Sequence, residues 1–130
     1  MKEQGLNKQE RVSGSKRIQF LFEKASAINS SRIRLVYVEN SSGKTAAFFV
    51  VPKKKIKLAT NRNLIRRRMK EVYRKTKKQH LEELRQLSES GYDFGFLYQS
   101  KEVLNYSDIE IEMVSILKKC IFKLKNQRKT

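Results

Sequence analysis

The chain has 130 residues, and its 38% apolar content, with five tyrosines and seven phenylalanines, suits one folded domain and excludes a disordered basic tail. Thirty basic residues against thirteen acidic ones give a net charge of +17, which favours nucleic acid as a partner over an anionic membrane surface. The single cysteine excludes an intramolecular disulfide, and the sequence shows neither a signal peptide nor an apolar run of about 20 residues, so we expect a soluble cytoplasmic protein.

The N-terminal part of the chain predicts a leader and a short helix. Residues 1–10 are polar and predict a flexible segment ahead of one domain over residues 11–125. Ser15 can cap a helix that runs to about residue 24, because apolar residues recur there at helical spacing. The apolar face of that helix comprises Ile18, Leu21, Phe22 and Ala25.

Two strands and a basic loop are predicted next. Residues 32–39 alternate between apolar and other side chains, which is typical of a strand. Residues 40–43 read Asn-Ser-Ser-Gly and predict a turn. Residues 45–51 predict a more apolar, central strand that Pro52 ends, and residues 53–57 form what we call the lysine loop.

A basic helix follows, for which Thr60 or Asn61 can act as the cap. Its predicted buried stripe is narrow and comprises Ile65, Met69, Val72 and Thr76, with Tyr73 at its edge. Six basic residues share the neighbouring side of the helix, which we call the basic face: Arg66, Arg67, Lys70, Arg74, Lys77 and Lys78. Leu81 would also fall on the basic face, so we expect the helix to bend or restart near Lys78, with a second piece over residues 79–88.

The rest of the chain predicts one strand, over residues 92–98, and one helix. Ser107 and Glu110 form a capping box that opens a helix to about Lys123, ahead of a basic tail over residues 126–130. The apolar face of this helix comprises Ile109, Met113, Ile116, Leu117, Cys120 and Leu124. The element order predicts an α+β fold, a single two-layer domain in which helices pack on a small sheet.

The sequence offers no convincing catalytic or metal site. Metal-free cleavage of RNA usually needs two groups that titrate near neutrality, and we interpret the lone His80 as a surface or boundary residue. Cys120 lies on an apolar stripe and is interpreted as core. Helical geometry scatters Asp108, Glu110 and Glu112, whose charges suit the start of a helix better than a metal ion.

The strongest functional signal is the segment over residues 53–78, which holds thirteen basic residues and one acid, Glu71. A merely solvated helix face would interleave acids for i,i+4 ion pairs, so this pattern favours a surface that binds phosphates. Its arginines suit phosphate geometry, and Asn63 adds a side chain that both donates and accepts hydrogen bonds. Spacing alone leaves open whether Tyr37, with Ile18 and Phe22, is plain core or stacks on unpaired bases.

Several runs carry a resemblance to a known family. Residues 51–55 read VPKKK, and residues 59–74 read ATNRNLIRRRMKEVYR. Together with residues 17–24 and 92–94, these runs resemble the bacterial ribonuclease P protein subunit over nearly the whole chain.

The resemblance implies the order α-β-β(-β)-α-β-α with a mixed sheet and a left-handed β-α-β crossover, a fold also seen in a ribosomal protein domain. It implies a non-catalytic subunit that binds the ribonuclease P RNA and precursor tRNA, without an obligate protein partner, while the RNA removes the 5′ leader with Mg²⁺. The residues that it places on RNA are Lys53, Lys54, Lys55, Arg62, Asn63, Arg66, Arg67, Lys70 and Arg74. It makes Ile18, Phe22 and Tyr37 the lining of a groove for the leader.

Two positions depart from the family pattern. Leu64 replaces the second arginine of the family's Arg-Asn-Arg tripeptide, so that contact is lost or moved to Arg66 or Arg68. Ile18 stands where the family often has an aromatic residue. The alternative function is that of a ribosomal or other RNA-packing protein, and the narrow apolar stripe of the basic helix disfavours a membrane-surface role.

Overall fold

The computed structural model describes residues 25–87 and 90–128, so the predicted helix over residues 15–24, with Ile18 and Phe22, lies outside the described residues. The elements in chain order are β1 (Ser26–Asn29), β2 (Ile33–Asn40), β3 (Ala46–Val50), α1 (Ala59–Leu87), β4 (Gly91–Tyr98) and α2 (Tyr106–Arg128). The predicted α+β class is confirmed.

The four strands form one mixed sheet in the order β1-β2-β4-β3. Strand β2 pairs antiparallel with β1 and with β4, whereas β3 pairs parallel with β4. Helix α1 connects the parallel pair, as the β-α-β expectation requires, and the hand of that crossover stays a prediction. Within the described residues, β3 lies at one edge of the sheet, so the prediction that this strand is central is wrong. Its apolar composition reflects burial of both of its faces, since Phe49 and Phe48 belong to different apolar clusters. The lysine loop leaves the sheet at the end of β3.

Both helices pack on one face of the sheet. Strand β2 turns Ile33, Leu35 and Tyr37 into the main core, whereas Val36 joins Phe48 of β3 in a small apolar cluster on the opposite face. The α1 contribution to the main core confirms four residues of the predicted stripe: Ile65, Met69, Val72 and Tyr73. The predicted apolar face of α2 is confirmed throughout and comprises Ile109, Met113, Ile116, Leu117, Cys120 and Leu124.

The prediction that the basic helix restarts near Lys78 is wrong. Helix α1 is continuous over 29 residues. Leu81 does fall among basic residues, but it is only partly buried, and the buried stripe continues through His80 and Leu84. Thr76 is also only partly buried, and its hydroxyl donates to the Val72 carbonyl oxygen at 2.9 Å, which satisfies a polar group beside the core.

Several predicted element ends are also wrong. Helix α1 begins at Ala59, so neither Thr60 nor Asn61 is its cap. Helix α2 begins at Tyr106, and its cap is Asn105, whose side-chain oxygen accepts from the Asp108 backbone amide at 2.8 Å. Ser107 therefore lies inside the helix, which continues past the predicted end to Arg128.

Candidate RNA-binding surface

Two basic residues of α1 mark the flank of the helix that faces α2. Arg68 donates from Nη1 to the Leu104 carbonyl oxygen at 2.6 Å, and the Lys75 ammonium lies 5.2 Å from the centre of the Tyr106 ring. Both partners belong to the start of α2 or the loop before it, so this flank of α1 is turned toward α2. Arg68 Nη1 is thus engaged within the protein, and the transfer to Arg66 or Arg68 of the contact that Leu64 lacks stays a prediction.

The basic face occupies the opposite flank of α1. At 100° per residue, Arg66, Lys70 and Lys77 lie across the buried stripe from Arg68 and Lys75, on the side away from α2. Arg67 and Lys78 are exposed, whereas the other members are partly buried along their aliphatic stems. The structure thus brings the predicted basic face together along one side of a single rigid helix.

Two predicted RNA-binding residues at the start of this face already contact each other. Asn63 is exposed, and its side-chain oxygen accepts a hydrogen bond from Nη2 of Arg66. This contact fixes the direction of the Arg66 guanidinium, because one of its nitrogens is engaged by a neighbour one helical turn away.

Arg74 is paired with the one acid of the segment. Its Nε donates to Glu71 Oε2 at 3.1 Å, and Nη2 donates to Glu71 Oε1. The hydrogen bond from Arg74 lowers the pKa of the Glu71 carboxyl, which therefore stays ionised at neutral pH. Arg74 consequently presents less net charge to a phosphate than the sequence indicates.

The lysine loop is a compact turn beside the start of α1. Lys53, Lys54 and Lys55 are exposed. The Pro52 carbonyl oxygen accepts from the amides of Lys55 at 3.0 Å and Ile56 at 3.1 Å. The lysine loop directly precedes α1 in the chain, so its exposed lysines lie ahead of the first turn of the helix that carries the basic face.

The Arg62 side chain makes hydrogen bonds within the protein and is not directed only at solvent. Its Nη1 donates to the carbonyl oxygens of Ile56 at 3.0 Å and Lys57 at 2.7 Å. Sequence spacing gave no signal for this contact, since it depends on how the loop folds back on the first turn of α1.

Tyr37 lies in the main core, where its side chain is 4% exposed. Burial raises the pKa of its phenol group, and no base could stack on the ring without displacing core neighbours. The position is the one that the packing interpretation predicts, and the groove role of Tyr37 stays untested.

His80 differs from its predicted surface or boundary position, because only 4% of it is exposed. Neither ring nitrogen has a hydrogen-bond partner within the described part of the chain, and burial lowers the pKa of the imidazole. Cys120 is core, as predicted, and burial raises the pKa of its thiol to about 12, which suppresses the thiolate.

The acids of α2 are separated by their contacts. Glu112 accepts from the Ser30 hydroxyl at 2.6 Å, and Asp108 lies in the first helical turn. Across residues 25–87 and 90–128, no group of three or more His, Cys, Asp or Glu residues is placed to hold a metal ion. None of the helices in those ranges has both the length and the apolar composition of a membrane span.

Comparisons with known proteins agree with this architecture. The family model for ribonuclease P matches residues 6–121. The fold is similar to the Staphylococcus aureus RNase P protein, with a TM-score of 0.70 at 18% identity over 87% of this chain and 96% of that one. It is also similar to the Thermotoga maritima RNase P protein, with a TM-score of 0.68 at 17% identity over 85% of this chain and 96% of that one. No curated protein sequence matches the chain.

Proposed function

The chain belongs to the ribonuclease P protein family, and from that premise we propose that it is the RNA-binding subunit of this endoribonuclease. In this role it binds the catalytic RNA and the 5′ leader of precursor tRNA in the cytoplasm, and the RNA carries out the Mg²⁺-dependent cleavage. The observation that carries the proposal is the alignment of the basic face along one side of α1, with the exposed lysines of the loop just ahead of it.

The proposed mechanism is electrostatic. Bringing a catalytic RNA and an RNA substrate together places two phosphate backbones side by side, and their repulsion opposes binding. Cations of the lysine loop and the basic face would lie between them and release condensed counterions, which favours association. We assign direct phosphate contacts to two residues: Arg66, whose guanidinium donates a hydrogen bond to Asn63, and the exposed Arg67.

We propose that Mg²⁺ is bound by the RNA subunit rather than by the protein. When bound, it supplies the Lewis acid and the activated water of the cleavage step. The protein residues would contribute by lowering phosphate repulsion near the scissile bond, so the RNA needs less Mg²⁺ to reach the same occupancy.

The leader contact depends on the resemblance more than on the described structure. We retain Ile18 and Phe22 as candidates for stacking on the unpaired leader. Tyr37 is buried, so we propose that its side chain supports strand β2 from the core side. Phe22→Ala should therefore weaken precursor tRNA binding more than mature tRNA binding, whereas Tyr37→Phe should leave the ratio of the two affinities unchanged.

Reconstitution tests the proposal directly. The protein is added to the ribonuclease P RNA of its organism at low Mg²⁺, and precursor tRNA cleavage is followed. We expect strong stimulation that disappears when Arg66 and Arg67 are both replaced by Ala. Binding of the RNA without stimulation would overturn the proposal and favour the alternative, an RNA-packing protein of the ribosomal kind.

A further inference from the structure

We propose that Arg62 is a positioning residue, which holds the end of the lysine loop in place for RNA. The inference rests on the proposed function, because it concerns how that surface is organised. It gives this arginine a role other than the direct RNA contact that the family resemblance implies.

Nη1 of Arg62 has no hydrogen left for a ligand. This nitrogen carries two hydrogens, and the two carbonyl oxygens of Ile56 and Lys57 accept one each, at 3.0 and 2.7 Å. Hydrogen bonds from a charged donor are about twice as strong as neutral ones. A phosphate that attracted this nitrogen would have to replace both.

The turn itself is anchored on both sides, and Arg62 holds the stretch that follows it. Pro52 closes the turn from the other side by accepting from the Lys55 and Ile56 amides. The side chains of Val51 and Ile56, at the two ends of the turn, are 5% and 4% exposed and anchor it in the core. Beyond Ile56 the chain becomes exposed again until α1 begins, and the Arg62 clamp bridges that stretch.

The clamp favours RNA binding by lowering its entropy cost. Three lysines on a mobile loop lose chain entropy when they bind a polyanion, whereas a loop already held in one conformation does not. The clamp fixes the loop to α1, so the loop lysines keep a constant distance from the basic face. Arg62 therefore acts through the loop.

Arg67 offers a matched control. It belongs to the same helix and carries the same charge, but it is exposed and makes no hydrogen bond or ion pair within residues 25–87 and 90–128. Its removal should subtract one phosphate contact and leave the loop unchanged. The comparison of Arg62→Ala with Arg67→Ala thus separates a positioning role from a contact role.

Amide hydrogen exchange of the full-length protein without RNA gives the first readout. We expect Arg62→Ala to accelerate exchange at the Lys55 and Ile56 amides at least several-fold, and Arg67→Ala to leave it unchanged. Unchanged exchange in Arg62→Ala overturns the proposal, and this result does not depend on whether RNA binds.

A double-mutant cycle with ribonuclease P RNA gives the second readout. In a chain whose Lys53, Lys54 and Lys55 are all Ala, Arg62→Ala should change the RNA Kd by less than about twofold, the usual error of additivity. Arg67→Ala should keep its full effect in that background. If Arg62→Ala also keeps its full effect, Arg62 contacts RNA directly and the proposal is wrong; if no variant binds RNA, the proposed function fails and hydrogen exchange alone decides the clamp.

Discussion

The salt dependence of RNA affinity is a quantitative test of the surface. Six of the eight basic residues predicted to bind RNA remain as contact candidates after the clamped Arg62 and the Glu71-paired Arg74 are set aside: Lys53, Lys54, Lys55, Arg66, Arg67 and Lys70. Each phosphate contact contributes about 0.7 to 0.9 to the slope of log K against log salt, so six contacts predict a slope of roughly −4 to −5. Raising monovalent salt from 50 to 200 mM should then weaken binding by about 300- to 1,000-fold.

Fluorescence anisotropy with labelled ribonuclease P RNA, at fixed low Mg²⁺ and four salt concentrations, measures this slope. Arg67→Ala should reduce its magnitude by about 0.7 to 0.9 and weaken binding at every salt concentration. Lys123→Ala is the control, since Lys123 is exposed on α2, which lies on the other flank of α1. A wild-type slope shallower than about −2, or equal effects of the two variants, would refute the assignment of this surface.

Three further predictions concern the folded protein. Glu71→Gln should release Arg74 and strengthen RNA binding by a few-fold at most in the same assay, because an exposed ion pair is weak and is screened by solvent. Burial lowers the pKa of His80, so its protonation favours unfolding: stability should be complete above the unfolded-state pKa of about 6.5 and fall below it by at most about 1.4 kcal/mol per pH unit. Urea unfolding at pH 7.5 and 5.5 should show this loss, with a smaller loss in His80→Leu. A Cβ on Gly95 would lie 2.3 Å from Phe48 Cζ, so Gly95→Ala should lower the free energy of unfolding by about 1 to 3 kcal/mol, and an unchanged urea midpoint would contradict that packing.

Periodicity was sufficient wherever one face of an element is buried along its whole length. Strand β2 alternates and α2 repeats its apolar residues at helical spacing, and both were predicted with the correct core residues. Strand β1 was missed because its four residues read Ser-Ala-Ile-Asn, with no fully buried position, and it forms by pairing at the sheet edge. Pairing with β2 across the short connection at residues 30–32 supplies that strand's stability, and the apolar pattern of its own four residues does not report it.

The burial of a residue, like the pairing of a strand, is not specified by local sequence, and this explains the wrong prediction of a break in α1. The position of Leu81 on the basic face predicted a break in the helix, on the assumption that a leucine must be buried. In the fold Leu81 is only partly buried, and the stripe is continued by His80, a residue type whose burial local sequence does not specify. The uninterrupted helix keeps the basic face straight, which a restart near Lys78 would not have done.

The charge of the 53–78 segment overstates its capacity for RNA contacts, and the structure shows why. Arg62 holds the lysine loop, Arg68 donates to the Leu104 carbonyl, and Lys75 packs over the Tyr106 ring. These cations organise the helix and its neighbours, so the remaining ones occupy fixed positions on one side. A rigid array loses less entropy on binding a polyanion than an equal number of charges on a flexible tail. We therefore expect Arg62, Arg68 and Lys75 to contribute to RNA affinity through the order that they impose on the other cations of the segment.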